Sequence, residues 1–156
     1  MDMVNQARQN SIAKNALTAL VLVTDAPANA DANNRSFVLM QQLPGTVIWT
    51  QIGKWETLPD GIIADTQAVT SFTQLPNLPN PIGTLKYAGI SLPTGSYAYQ
   101  VFLPSGRLLT SSTGDSPTLR LVPGIPKGNS IQHIGEGNYY DIVLNPFTGL
   151  PKVDRP

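Results

Sequence analysis

His133 is the single histidine of the chain and the first side chain to consider as a general base. It lies in the segment 130–135, which contains no carboxylate. The members of a Ser–His–Asp arrangement are distant in sequence, so a hydrolase that uses His133 stays open as an alternative. No Gly-x-Ser-x-Gly motif is present. Such an enzyme would need a carboxylate or hydroxyl within hydrogen-bond distance of the imidazole, inside a pocket.

Oxygen-bearing side chains occur close together in the segment 25–34, and oxygen is the ligand atom that Ca²⁺ prefers. They are Asp25, Asp31, Asn33 and Asn34. The segment lacks the Asp-x-Asp-x-Asp-Gly register and the downstream glutamate of a calcium loop. Asn and Asp are also common turn residues, and the composition favours that interpretation. Calcium binding by this segment stays open.

The remaining polar residues form no recognisable catalytic or cofactor-binding set. Asp115 and Asp141 each lack a second carboxylate nearby in sequence, whereas a glycosidase needs two that face one cleft. There is no glycine-rich phosphate loop of the Walker or dinucleotide type. The chain has no cysteine, which excludes disulfides and cysteine-ligated zinc or iron–sulfur sites. The sequence predicts no catalytic residue, no cofactor and no metal.

Seven aromatic residues could form a face on which sugar rings stack. They are Trp49, Trp55, Tyr87, Tyr97, Tyr99, Tyr139 and Tyr140. Aromatic side chains at alternate strand positions more often pack in a core or across strands. The main alternative function is a β-rich binding module that uses these residues, with carbohydrate as one candidate ligand, and it predicts an exposed aromatic groove.

Length and charge exclude further classes of protein. The 156 residues predict a single domain, 1–156, large enough for a core of its own. Ten basic and ten acidic side chains give a net charge of zero, and Lys152 with Arg155 is too small a basic tail for a nucleic-acid partner. The longest apolar run, 19–23, is far shorter than the ~18 residues that span a bilayer.

One segment, 4–15, predicts a helix because it contains Ala, Gln, Arg and Lys but neither Gly nor Pro. Apolar residues lie on one side of it or beside that side: Met3, Val4, Ala7 and Ile12. A helix of this length is marginal in water, so it must dock on the chain or continue upstream.

Residues 16–153 predict antiparallel β-structure. The apolar segment 17–23 predicts a buried strand that pairs with 36–41 as a hairpin. Further strands are predicted at 46–51, 54–58, 61–64, 97–102, 107–110, 118–122 and 139–144. The turn motif Leu-Pro-x-Gly recurs at 58–61, 92–95 and 103–106, with Pro and Gly where a type I turn prefers them. The predicted fold class is α+β, with one N-terminal helix packed on antiparallel sheet.

Four short segments occur in an order that a known family shares. Residues 6–15 have the composition of a helix and are followed directly by a predicted strand. Residues 55–62 form the end of a predicted strand and a turn with the pattern Leu-Pro-x-Gly-hydrophobic. Residues 101–107 form an aromatic-x-Pro-x-Gly-Arg hairpin, and 142–149 with Lys152-Val153 form a final strand and a Thr-Gly turn. Together they resemble type IV pilin-like proteins, in particular the minor pseudopilin H and FimT-like group of type II secretion and type IV pilus systems.

The resemblance implies a pilin-like fold and a structural role without covalent chemistry. The subunit would be anchored in the bacterial inner membrane with this domain in the periplasm, and its partners would be other pilins or pseudopilins in a filament. No small-molecule substrate is expected. Helix packing would use Met3, Val4, Ala7 and Ile12, and the loops 76–83 and 123–137 would face outward. The family's basic leader, cleavage site and apolar helix with a glutamate are not in this sequence, so we expect them to precede residue 1.

Overall fold

In the computed structural model, the described residues are 2–26, 29–42, 44–66, 82, 85–93, 95–109, 116–128, 130–135 and 137–155. Within them, one α-helix, α1 (Asp2–Ala13), is accompanied by a short 3₁₀-helix (Ala30–Ala32) and eleven strands. The strands are β1 Leu17–Val23, β2 Ser36–Gln42, β3 Trp49–Thr57, β4 Ile62–Ala64, β5 Leu85–Tyr87, β6 Ile90–Leu92, β7 Tyr97–Phe102, β8 Thr118–Lys127, β9 Ser130–His133, β10 Tyr140–Leu144 and β11 Pro151–Asp154. No helix in this part of the chain is both long and apolar enough to cross a bilayer.

Helix α1 ends in a Schellman motif that turns the chain into β1. Asn15 adopts a left-handed conformation with φ of 49°, which Asn tolerates better than most residues. The N–H of Ala16 donates to the carbonyl of Ser11 at 3.1 Å, and the N–H of Asn15 donates to the carbonyl of Ile12 at 3.3 Å. Because the motif reverses the chain tightly, α1 lies against the sheet in which β1 takes part.

Strand β1 lies inside a four-stranded antiparallel sheet with the order β3-β2-β1-β7. Alternate side chains of a strand point to opposite faces. Leu20 and Leu22 enter the core beneath α1, whereas Val21 and Val23 enter a second core on the other face. Burial on both faces explains the continuous apolar run of β1.

The second large sheet has the order β11-β10-β8-β4, and β9 also pairs with β8. The first half of β8 pairs with β10, placing Leu119 opposite Ile142, and both residues enter the core beneath α1. The hairpin of β5 and β6 supplies Leu85 and Leu92 to the second core. Side chains from both large sheets and from α1 therefore meet in one core.

The expected α+β, pilin-like fold class is wrong. About 50% of the described residues form strands and 12% are helical, so the fold is β-rich, with one short N-terminal helix and several antiparallel sheets. The reason lies in the core, to which α1 contributes only Val4, Ala7 and Ser11 among its buried residues. The other sheet and the β5–β6 hairpin supply most of the side chains that cover β1 and β2.

Three predicted strand ranges differ from the strands of the structure. The predicted strands 46–51 and 54–58 are largely one strand, β3, which passes through Gly53 with φ of 84°. The pairing of β2 with β3 changes register between Phe37 and Leu39, as at a β-bulge. The predicted strand 107–110 makes a single bridge in the described residues, between Leu108 and Phe102.

Of the two loops expected to face outward, 123–137 is largely a hairpin and 76–83 is described only at Ile82. Much of 123–137 is a hairpin, because β8 continues through Pro123 and Pro126 and pairs with β9. The loop 76–83 lies outside the described residues except for Ile82, which is buried and accepts a hydrogen bond from the hydroxyl of Tyr97.

Candidate functional site

His133 ends β9 and borders a cavity that the side chains of β8 and the segment 135–139 also line. Its Nε2 lies 3.3 Å from Oδ2 of Asp65, whose side chain is 4% exposed, while the imidazole is half exposed. The carboxylate that the hydrolase alternative requires is therefore present. None of the described residues lining this cavity is a serine, threonine or cysteine, so the pair lacks the nucleophile of a Ser–His–Asp arrangement.

Arg120 and Asp141 form a bidentate ion pair at the edge of the same cavity. They face each other on β8 and β10, with Nε 2.7 Å from Oδ1 and Nη2 2.8 Å from Oδ2. The guanidinium carbon lies 3.9 Å from the ring centroid of Tyr139, within cation–π distance. The hydrogen bond with Asp141 raises the pKa of Arg120, although burial acts in the opposite direction. Asp141 is thus the partner of a fixed cation, and Asp115 lies outside the described residues.

The segment 25–34 uses the amide of Asn33 to fix its own loop. Oδ1 of Asn33 accepts a hydrogen bond from the N–H of Ala26 at 2.6 Å, and Nδ2 donates to the carbonyl of Gly128 at 3.0 Å. Among the other oxygen-bearing residues, Asp25 is half-buried, Asp31 is exposed and Asn34 is buried. Within the described ranges, no group of three or more His, Cys, Asp or Glu side chains could hold a metal ion.

Five of the seven aromatic residues lie in the second core or pack against it, and the other two lie beside arginines. Trp49, Tyr97 and Tyr99 are buried in that core, Trp55 and Tyr87 form a partly buried pair against it, and Tyr139 and Tyr140 lie beside Arg120 and Arg155. The rings of the pair meet edge-on, with centroids 4.9 Å apart. The described structure therefore gathers these rings into no common groove of the kind that stacks a sugar.

The helix residues expected to pack in a filament face in different directions. Val4 and Ala7 are buried in the chain's own core, and Met3 packs at the edge of that core. Ile12 is 45% exposed and covers Gly106. Val4 and Ala7 therefore hold α1 to the sheets, which leaves Ile12 and the outer polar side of α1 open to a neighbour.

The second half of α1 contacts two turns that are distant from it in sequence. Nε of Arg8 donates a hydrogen bond to the carbonyl of Thr148 at 2.6 Å. The two turns also contact each other, because the N–H of Leu108 donates to the carbonyl of Pro146 at 2.9 Å. We name this meeting of three segments the terminal junction, and it consists of Arg8, Ile12, residues 103–107 and residues 145–150.

Glycine permits the close approach inside the terminal junction. Gly149 has φ of 68°, and a Cβ at this position would overlap the carbonyl oxygen of Gly106 and lie 3.3 Å from Cδ of Arg8. The side chain of Asn145 shapes the turn, since its Oδ1 accepts from the N–H of Phe147 at 2.9 Å. Asn145 therefore stabilises the turn itself, whereas Gly149 allows the turn to approach Gly106 closely.

The terminal junction exposes apolar side chains next to cations. Phe147 is 61% exposed and Leu150 is 49% exposed. The guanidinium carbon of Arg107 lies 5.5 Å from the ring centroid of Phe147. Neither 103–107 nor 145–150 contains an acidic residue. Two exposed apolar side chains in one turn, one of them beside an arginine, make this turn a candidate interaction surface.

An apolar groove of about 250 Å³ lies beside the first turn of α1. Side chains of α1 and of both large sheets line it: Met3, Val4, Leu20, Phe37, Leu119 and Ile142. Asp2 and Glu56 also border the groove, and both are exposed. The groove therefore combines apolar walls with negative charge.

Sequence reasoning missed the residues that make these contacts. Arg8 and Glu56 lie in segments that carried the family resemblance, but nothing in the sequence indicates that Arg8 contacts the carbonyl of Thr148 or that Glu56 borders a groove. Asp65 directly follows the apolar strand β4, which is a weak signal for a buried carboxylate. No protein-family model, curated protein or solved structure matches the chain.

Proposed function

We propose that this chain is a structural subunit, a minor pseudopilin or pilin-like protein, of a type II secretion or type IV pilus-like filament. It acts by packing against other pilins or pseudopilins, with this domain in the periplasm and an inner-membrane anchor encoded upstream. The observation that carries the proposal is the terminal junction. Three of the segments on which the resemblance rests, 6–15, 101–107 and 142–149, contribute residues to it.

The arrangement of α1 supports a packing role. The inward side of the helix is occupied by the chain's own core through Val4 and Ala7. Its outward side presents Gln6 and Gln9, which are exposed. A helix held by its inner side and by Arg8 is a fixed element, and a neighbouring subunit can dock on its outer side without rearranging the core.

The alternatives receive less support from the described residues. The His133–Asp65 pair has a carboxylate, but none of the described residues that line its cavity is a serine, threonine or cysteine. Five of the aromatic residues lie in the second core or pack against it, and the other two contact arginines elsewhere. The hydrolase therefore has the carboxylate and the pocket that it requires but no serine, threonine or cysteine beside them, and the carbohydrate-binding module lacks an exposed aromatic groove among the described residues.

Site-specific photocrosslinking tests the proposal. A photoreactive amino acid replaces Gln6 or Gln9 in the full gene product, expressed in the bacterium that encodes it. We expect crosslinks to pilin-like proteins from both positions. Lys127 is the matched control, because it is exposed but lies at the far end of β8.

Crosslinks to pilin-like proteins from the helix positions, with none from Lys127, would support helix packing in a filament. Equal crosslinking from all three positions, or crosslinks only to unrelated proteins, would overturn the proposed function.

A further inference from the structure

We infer that the terminal junction of one copy docks in the apolar groove of a second copy, with Phe147 entering the groove and Arg107 facing Glu56. This inference deepens the proposed function and rests on it, because it names one of the contacts that would extend the filament. Two different surfaces of the chain complement each other: an exposed apolar side chain beside a cation, and a recess bordered by anions.

The first surface is a projecting apolar side chain with a cation beside it. Phe147 is the most exposed aromatic side chain among the large exposed apolar residues of the described chain. The hydrogen bonds that Asn145 accepts and the contact between the two turns fix the backbone that carries it. Ordering Phe147 in a contact therefore costs side-chain entropy but little backbone entropy.

The second surface is a recess that suits such a side chain. Leu20, Phe37, Leu119 and Ile142 give it apolar walls, and its volume is about 250 Å³. These four side chains are already at most 5% exposed, so the favourable term is the removal of the exposed ring of Phe147 from water and its contact with the walls that it fills. The recess is bordered by Glu56 and Asp2 rather than by cations.

Charge gives the contact a direction. A like-charged pairing of two terminal junctions would bring Arg107 against Arg107, and a pairing of two grooves would bring Glu56 against Glu56. A terminal junction against a groove instead brings Arg107 towards Glu56, which electrostatic complementarity favours. Because the two surfaces are different patches of the chain, the contact is heterologous and can repeat from copy to copy instead of closing as a twofold dimer.

The contact is small, so it is expected to be weak between free molecules. One inserted aromatic side chain and its rim bury far less than the roughly 1,200 Å² of a standard stable interface. Anchoring copies in one membrane raises their effective concentration and allows a weak contact to be used.

Reciprocal charge reversal tests the inference on the 156-residue chain. Arg107→Glu places a carboxylate against Glu56, and Glu56→Arg places a guanidinium against Arg107, so each variant alone replaces the attraction by a like-charge contact. We expect each variant alone to associate at least tenfold more weakly than the original chain in sedimentation equilibrium at low salt. An equimolar mixture of the two should regain association, because each copy then meets a complementary partner.

The controls are Lys127→Glu and Asp31→Arg, which reverse exposed charges outside both surfaces. Both should associate as the original chain does, and circular dichroism should show that all four variants are folded. Failure of the mixture to regain association would overturn the inference. So would a chain that stays monomeric up to about 1 mM, a concentration that reveals even weak binding.

The two proposals fail in different ways. If Gln6 and Gln9 crosslink to pilin-like proteins but charge reversal has no effect, the inferred contact between copies is overturned and the proposed function stands. If the mixture regains association but the helix positions crosslink to no pilin-like protein, the self-contact stands and the proposed function is overturned.

Discussion

Arg8 in α1 and Thr148 in the turn before β11 are joined by a 2.6 Å hydrogen bond from Nε to the main-chain carbonyl, across 140 positions of sequence. The bond fixes the C-terminal turn against the N-terminal helix. Two segments that the resemblance placed at opposite ends of a pilin-like sequence therefore form one surface.

The first prediction concerns the close approach of the two turns. We expect Gly149→Ala to lower the free energy of unfolding by about 3 kcal/mol or more, because it adds a left-handed penalty to an overlap with the carbonyl of Gly106. The control is Gly128→Ala, since Gly128 has a similar φ of 60° but open space around the added Cβ. Gly128→Ala should lower the free energy of unfolding by only about 1 kcal/mol, and urea titration measures both variants. Equal losses would show that the turns do not approach closely.

The second prediction concerns the docking of α1. Val4→Ala removes two buried methyl groups and should lower the free energy of unfolding by about 1–2 kcal/mol. Gln9→Ala, on the exposed side of the same helix, should change it by no more than about 0.5 kcal/mol. Urea denaturation followed by circular dichroism measures both. A helix that does not pack on the sheets would show no difference between these variants.

The third prediction compares two ion pairs on neighbouring strands. Asp141→Asn should lower the free energy of unfolding by about 1–3 kcal/mol, because it weakens a bidentate, partly buried pair with Arg120. Asp154→Asn should cost less than about 0.5 kcal/mol, because Lys152 and Asp154 are 75% and 49% exposed and water screens them.

The pKa of Arg120 determines how the loss of stability caused by Asp141→Asn depends on pH. Its pKa is raised in the folded state, so the stabilising contribution of its cationic form is complete below the unfolded pKa and is lost only as the pH rises through the higher folded value. The penalty of Asp141→Asn at pH 7 should therefore persist at pH 9. A penalty that disappears between these values would contradict this cause.

The fourth prediction concerns the loop that contains Asn33. Asn33→Ala should lower the free energy of unfolding by about 1–3 kcal/mol. It removes the side-chain amide that bonds to the N–H of Ala26 and to the carbonyl of Gly128. Asn29→Ala is the control, since its side chain makes no capping hydrogen bond. Thermal unfolding measures both, and Ca²⁺ should leave the Tm of the original chain unchanged. A calcium-dependent rise in Tm would show that the loop has a ligand role as well.

The sequence predicted those elements whose local pattern is unambiguous. Residues 4–15 lack helix breakers, and α1 occupies Asp2–Ala13. The apolar run of β1 predicted a buried strand, and β1 is buried on both faces. Strand β7 also lies where alternating Tyr and apolar residues predicted it.

The rest depended on contacts that local patterns do not encode. Pro123 and Pro126 argue against a strand because proline lacks an N–H, yet β8 passes through both. The fold class was wrong because it gave α1 the role of covering the sheet, whereas a second sheet and a hairpin provide most of that cover. His133 and Asp65 are brought together by β8 pairing with both β4 and β9, a register that cannot be read from either segment alone.

The most direct test of the proposed function is the DNA sequence immediately upstream of the codon for Met1. The account predicts an open reading frame that encodes a short basic leader, a small residue before a cleavage site and about twenty apolar residues with one early glutamate, long enough to span a bilayer. An in-frame stop codon or a polar upstream sequence would contradict it, because the subunit would then lack the membrane anchor that filament assembly requires.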